Sequence, residues 1–150
     1  MSAVETPWGY TVEVEGAALP PLVSADELAA LTGGLASDPG RVEAVAAAVS
    51  DAVRAWCGWH VSPTLTCRWV GEGEGRYLAL PCMGVSSVGS LRVAGAEAEC
   101  RHRPSGLVRL VRGAFPPEWG SVEATFRAGY PSAAVGAVVA QIAANAVVAA

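Results

Sequence analysis

Apolar residues recur at helical spacing in three stretches of the chain and at alternate positions in several shorter ones. The first helical stretch is brief. Ser24-Ala-Asp-Glu27 sets a capping serine three residues before a glutamate, and Leu28 and Leu31 follow; that pattern starts a helix through reciprocal backbone bonds. Gly33-Gly34 stops it, so the first helix is placed at 24–32. Asp38-Pro39 opens the second, with Asp38 as cap and Pro39 at the first helical position. Val42, Val45, Val49, Val53 and Trp56 then form a stripe that predicts a core-facing helix over 39–57. Gly58 is its expected stop. The third helix, 133–150, follows Pro131-Ser132. Its apolar stripe is Val135, Val138, Val139, Ile142 and Ala146, and its other face is mostly alanine with Gly136, Gln141 and Asn145.

Between about 64 and 128 the period shortens to two. Leu65, Cys67 and Trp69 fall on one side of a strand, Thr66 and Arg68 on the other. Gly71-Glu-Gly-Glu-Gly75 reads as a hairpin tip, with 77–80 as the returning strand. Further strands are expected at 88–93, 97–102, 107–111 and 122–128. Residues 1–21 alternate Glu5, Glu13 and Glu15 with Val and Tyr and end at Pro20-Pro21. They read as an arm, either an edge strand or an extension that orders against a neighbour. The predicted class is α+β, with helices at both ends (two N-terminal, one C-terminal) and an antiparallel β-section of short strands inserted between them. The arm is 1–21 and the domain 22–150.

Composition changes the picture in one respect. Of 150 residues, 52% are hydrophobic and only 16% charged. That charged share is below the usual quarter, so apolar surface is left for a partner to cover. The net charge of −4 argues against gripping nucleic acid through its phosphates. Met1 to Gly16 holds no basic segment followed by an apolar run, so no secretory signal is read there. Cys57, Cys67, Cys82 and Cys100 are therefore expected as reduced thiols. No charge occurs after Arg127. A membrane span is disfavoured by the alanine content and by Gln141 and Asn145. A helix buried on several sides fits better, with other subunits supplying the remaining cover. Trp8 has no local core in the arm and is a candidate intersubunit contact.

Candidate chemistry is sparse. Cys57 with His60 and Cys100 with His102 offer soft ligands, but Cys-x-His is too tight for an ordinary zinc knuckle. The glycine run 71–75 carries Glu72 and Glu74, which would repel a phosphate. The pairs Asp26/Glu27 and Glu97/Glu99 stand beside no histidine, and no Gly-x-Ser-x-Gly occurs. No catalytic residue, metal or cofactor is expected, and the chain is not read as an enzyme.

The ordered pieces resemble the head–tail connector (adaptor) family of tailed bacteriophages and related gene-transfer agents. Leu22-Val-Ser-Ala-Asp-Glu-Leu28 looks like the family's opening helix. The 38–56 helix leaving through Trp56-Cys-Gly-Trp59 looks like its long helix. Leu78-Ala-Leu-Pro81, Val85-Ser-Ser-Val88, Val93-Ala-Gly95 and Gly106-Leu-Val-Arg109 resemble its strand-and-turn run. Val122-Glu-Ala-Thr-Phe-Arg-Ala-Gly-Tyr-Pro131 resembles its close. Met83-Gly84 and Ala94 depart from the pattern as turn variations.

The resemblance implies a structural virion protein at the neck, assembled in the host cytoplasm. It implies a homo-oligomeric ring, typically a dodecamer, beneath the portal protein. That ring extends the channel used in DNA ejection and docks a stopper or tail-completion protein. DNA passes through without specific binding, and no membrane is involved. Portal and subunit contacts then fall on Val135, Val138, Val139, Ile142, Ala146 and Trp8. Glu72 and Glu74 fall at the channel or rim. The alternatives are a non-viral oligomerising binding module and, after it, a metal-dependent enzyme.

Overall fold

A computed structural model describes residues 1–6, 9–33 and 38–149. Trp8, Gly34 and Ala150, each part of an expectation above, lie outside the described residues. Three helices and nine strands are present among them, the strands forming two antiparallel sheets.

The chain opens on strands. β1 (Ser2–Glu5) and β2 (Thr11–Val14) form a hairpin, and β2 pairs with β3 (Leu65–Gly71). This overturns the expected layout of helices at both ends with the β-section inserted between them: the fold is mixed α+β, but its N-terminus belongs to the sheet. The cause lies in the alternation of the arm. Val12 and Val14 are 1% and 0% exposed, while Thr11 and Glu13 face water. A period of two with one face buried specifies a strand once a sheet edge is available. Glu15 secures the junction: its backbone N–H donates to Thr66 O at 2.9 Å and its carboxylate accepts from Thr66 N–H at 3.2 Å. The Thr66 backbone N–H, and after it the Thr66 side chain, hold the Glu15 carboxyl below its usual range.

The large sheet runs β1-β2-β3-β9-β5-β6. Its centre is β9 (Val122–Ala128), flanked by β3 and by β5 (Ser87–Val93). Val122, Ala124, Phe126 and Ala128 alternate inward and are at most 1% exposed. β6 (Ala96–Glu97) closes the far edge. The small sheet runs β4-β8-β7, from β4 (Tyr77–Ala79), β8 (Leu107–Leu110) and β7 (Cys100–His102).

The segment 71–77 is not the tip of a β3–β4 hairpin. β3 pairs with β2 and β9, and β4 pairs with β8, so the glycine run carries the chain from one sheet to the other. Its glycines make room for aromatic rings. A Cβ on Gly71 would lie 2.0 Å from the Trp69 indole, and one on Gly73 2.6 Å from the Phe115 ring.

The helices form one layer. α1 (Ala25–Leu31) starts with the capping box: Ser24 Oγ accepts from Glu27 N–H at 3.1 Å, and Glu27 Oε2 accepts from Ser24 N–H at 2.9 Å. α2 (Pro39–Cys57) is capped by Asp38 and stopped by Gly58 at φ 74°, a left-handed position that glycine adopts without strain. α3 (Ser132–Ala149) packs against both. The buried line of α2 is Val42, Ala46, Ser50 and Arg54, with Val45, Val49 and Val53 half-buried beside it. Trp56 is 91% exposed, contrary to its expected place in the core stripe. It sits in the last turn, where nothing described covers it.

Candidate assembly surface and the buried polar cluster

α3 carries no charged residue, so hydrophobic spacing alone does not tell its faces apart. The fold does. Val139 and Ala140 are each 2% exposed, Ala143 is fully buried, and Gly136 and Ala144 are buried with them. Gly136 approaches α1 closely: a Cβ there would meet Glu27 Oε1 at 3.5 Å. Val138 and Ile142 are 63% and 49% exposed. Ala134, Ala137, Gln141, Asn145 and Ala146 share the exposed side, where Gln141 Nε2 donates to Asn145 Oδ1 at 3.2 Å. The predicted stripe is therefore split. Val139 belongs to the core of its own chain, Val135 is half-buried, and Val138, Ile142 and Ala146 face outward. No helix among the described residues is long and apolar enough to cross a membrane.

Glu72 and Glu74 differ from one another. Glu72 is half-buried and accepts a short hydrogen bond from the Tyr10 hydroxyl. That bond, with burial and the carboxylate charge, pushes the Tyr10 hydroxyl above its ordinary value. Glu74 faces water, and its backbone bonds Tyr77 in both directions at 3.1 Å. Glu72 thus ties the first hairpin to the inter-sheet crossing, and Glu74 alone is free for a rim.

The sequence marks His60 as a possible ligand but does not reveal the buried polar cluster it forms with Arg54 at the end of α2. Arg54 is 7% exposed, and its guanidinium donates to three carbonyls: Pro20 at 2.7 Å, His60 at 2.8 Å and Ser62 at 2.9 Å. Burial pulls it below its ordinary value, with Asp51 opposing, and it stays a cation. His60 is fully buried. Its Nε2 lies 3.1 Å from Pro63 O and 3.0 Å from Ala128 O. Two acceptors require the proton on that nitrogen; Nδ1 is buried with no partner among the described residues, and burial favours the neutral Nε2–H ring.

Cys57 is exposed, Cys100 half-buried and His102 exposed, so the two cysteine–histidine pairs of the sequence do not converge. Instead one potential ligand atom from each of His60, Cys67 and Cys82 lies within 4.8 Å of the others. A hydrogen bond from Cys82 holds the Cys67 thiol below its usual value despite burial; the same contact and burial push Cys82 up. Three ligands are one short of a closed structural zinc site. His60 Nε2 is spent on two carbonyls, while its Nδ1 is buried with no hydrogen-bond partner among the described residues.

A pH dependence follows. Burial is the main cause that lowers the His60 value from 6.5, the nearby Arg54 cation adds to it, and the two carbonyl bonds oppose it. The unfolded ring takes a proton near its ordinary value while the folded ring stays neutral. Stability is therefore full above about pH 6.5 and is lost as pH falls toward the folded value. Unfolding free energies from urea titrations at about pH 7.5 and about pH 5.5 are expected to differ, by up to about 1.4 kcal/mol per unit of pH below about 6.5. His60→Gln is expected to remove that component of the slope.

No family model matches the chain, and no curated protein matches it. Among solved structures, it is similar to a chain in the neck of an empty GTA (gene transfer agent) particle computed with C6 symmetry. The TM-score is 0.64 at 19% identity, over 89% of this chain and 82% of that one. The two share a fold.

Proposed function

We propose that this chain is a structural head–tail connector: a neck subunit that forms a ring beneath the portal, continues the DNA channel and receives a stopper or tail component. The observation that carries the reading is the uncharged outer face of α3, with Val138 and Ile142 in water. A soluble chain that leaves such a face open is built to cover it against another. The fold shared with a chain of a particle neck supports the same reading, as do the strand-and-turn motifs from residues 78 to 131. Ring closure repeats one heterologous contact about an axis. Repetition supplies avidity, so each contact can be modest and the free subunit stays monomeric.

Size-exclusion with light scattering tests this on the full chain, alone and mixed with the portal ring of its own particle. A monomer alone and a stoichiometric ring on the portal are expected. A closed oligomer that forms without the portal and ignores it would identify a self-assembling binding module instead.

A further inference from the structure

All ten basic residues of the chain are arginines. They are unevenly placed. Residues 100–117 contain Arg101, Arg103, Arg109 and Arg112, with His102 and no carboxylate. The overall acidity therefore conceals a basic segment, and that segment supplies two of the small sheet's three strands, β7 and β8.

The register gathers Arg101, Arg103 and Arg109 on one face. Tyr77 pairs with Arg109, and Arg109 with Arg101, so the three form one row across β4, β8 and β7. Arg103 N–H bonds Leu107 O at 2.9 Å, and Leu107 pairs with Ala79, which makes the next row. The opposite face is the buried one, with Leu78, Val108 and Leu110 at 3% exposure or less. No carboxylate shares the two arginine rows. Glu99 lies one row further along, bonded through its carbonyl to Val111 N–H.

Like charges directly opposite on neighbouring strands destabilise a sheet. The chain nevertheless sets Arg101 against Arg109 in water. The Arg109 guanidinium stands 6.0 Å from the centre of the Tyr77 ring, which steadies it. Tyr77, Arg101, His102, Arg103, Leu107 and Arg109 line an open cleft of about 480 Å³. A shallow trough with several guanidinium forks suits a long polyanion better than a small enclosed anion. Guanidinium matches phosphate oxygens two at a time.

The geometry points to a phosphodiester site: the outer face of β4-β8-β7 binds the backbone of nucleic acid without reading its sequence. The choice of nucleic acid over an acidic protein rests on the neck reading, in which DNA is the polyanion that passes. Three arginine contacts are few enough for the contact to be brief and to let the polymer slide. By counterion release, three phosphate contacts give a salt slope near −2.7, or about a 40-fold loss of affinity between 50 and 200 mM salt.

Fluorescence anisotropy of a labelled duplex of about 20 base pairs, titrated with the full chain from about 20 mM salt upward, tests this. Binding with that slope is expected. Arg101→Ser with Arg109→Ser is expected to lower affinity at least tenfold at about 50 mM salt and to flatten the slope by about 2. The exposed pair Arg41→Ser with Arg92→Ser is expected to change it less than twofold, with matched melting temperatures for both variants. Absence of duplex binding at the lowest salt, an equal loss in the control pair, or binding of poly-glutamate in place of duplex each overturns the proposal. Portal assembly is followed on the same samples. A ring that forms without duplex binding removes this site and keeps the connector reading; duplex binding without a ring does the reverse.

Discussion

A carboxylate in place of Ile142 is expected to abolish attachment to the portal while leaving the subunit folded. Ile142 is 49% exposed in the free chain, so an Asp there stays hydrated and costs the monomer little. On assembly the same group would enter an apolar contact with no partner. An uncompensated buried charge costs about 3 kcal/mol or more, which is over a hundredfold in each contact. In the proposed ring the penalty would recur in every subunit, so avidity would multiply the loss instead of rescuing it. Co-sedimentation with portal rings reads the attachment, and circular dichroism melting reads the fold. Val139→Asp is the informative contrast. Val139 is 2% exposed, so that change is expected to lower the melting temperature of the monomer itself. Normal attachment by folded Ile142→Asp would show that the outer face of α3 is not the interface.

Arg54→Ala removes a buried, hydrogen-bonded cation and is expected to cost about 3–5 kcal/mol in urea unfolding. The side chain holds three carbonyls from three places: Pro20 before α1, and His60 and Ser62 after α2. Removing it leaves the Pro20 and Ser62 carbonyls without a donor, at about 1–3 kcal/mol for each that stays buried, while His60 O keeps the Ser62 N–H at 2.8 Å. Arg54→Lys keeps a cation but loses the planar fork, and is expected to recover only part of the loss. Arg41→Ala, exposed on the same helix, is expected to stay within about 0.5 kcal/mol of the parent. A similar small effect at Arg54 would mean that water satisfies the freed carbonyls.

Local chemistry was legible in the sequence. Ser24 with Glu27, Asp38 with Pro39, and Gly58 act within one turn of the chain, and each does what its residue type dictates. The period-two alternation of 122–128 likewise marks the central strand. What stayed hidden depends on neighbours distant in sequence. Val12 and Val14 form a strand because the edge of β3 is there to receive them. Trp56 continues the spacing of Val45 and Val49 yet reaches past the elements that cover them. In α3, Val138 and Val139 are chemically identical, and only the position of α1 and α2 decides which one is buried. Arg54 has an exposed residue's composition and a core residue's burial, and the carbonyls that explain it lie 34, 6 and 8 residues away. The arginine face needs a strand register, since residues 101 and 109 become neighbours only across β7 and β8.

The first hairpin has a consequence for how the chain tolerates trimming. Val12 pairs with Trp69, Tyr10 meets the Trp69 ring edge-on at 5.6 Å, and Pro20 is clasped by Arg54. A protease that cut near Gly16 and released the preceding residues would strip an inner wall from the molecule and leave an indole and an open strand edge in water. The first hairpin is masonry, and a shortened version begun at the first helix would inherit a breach.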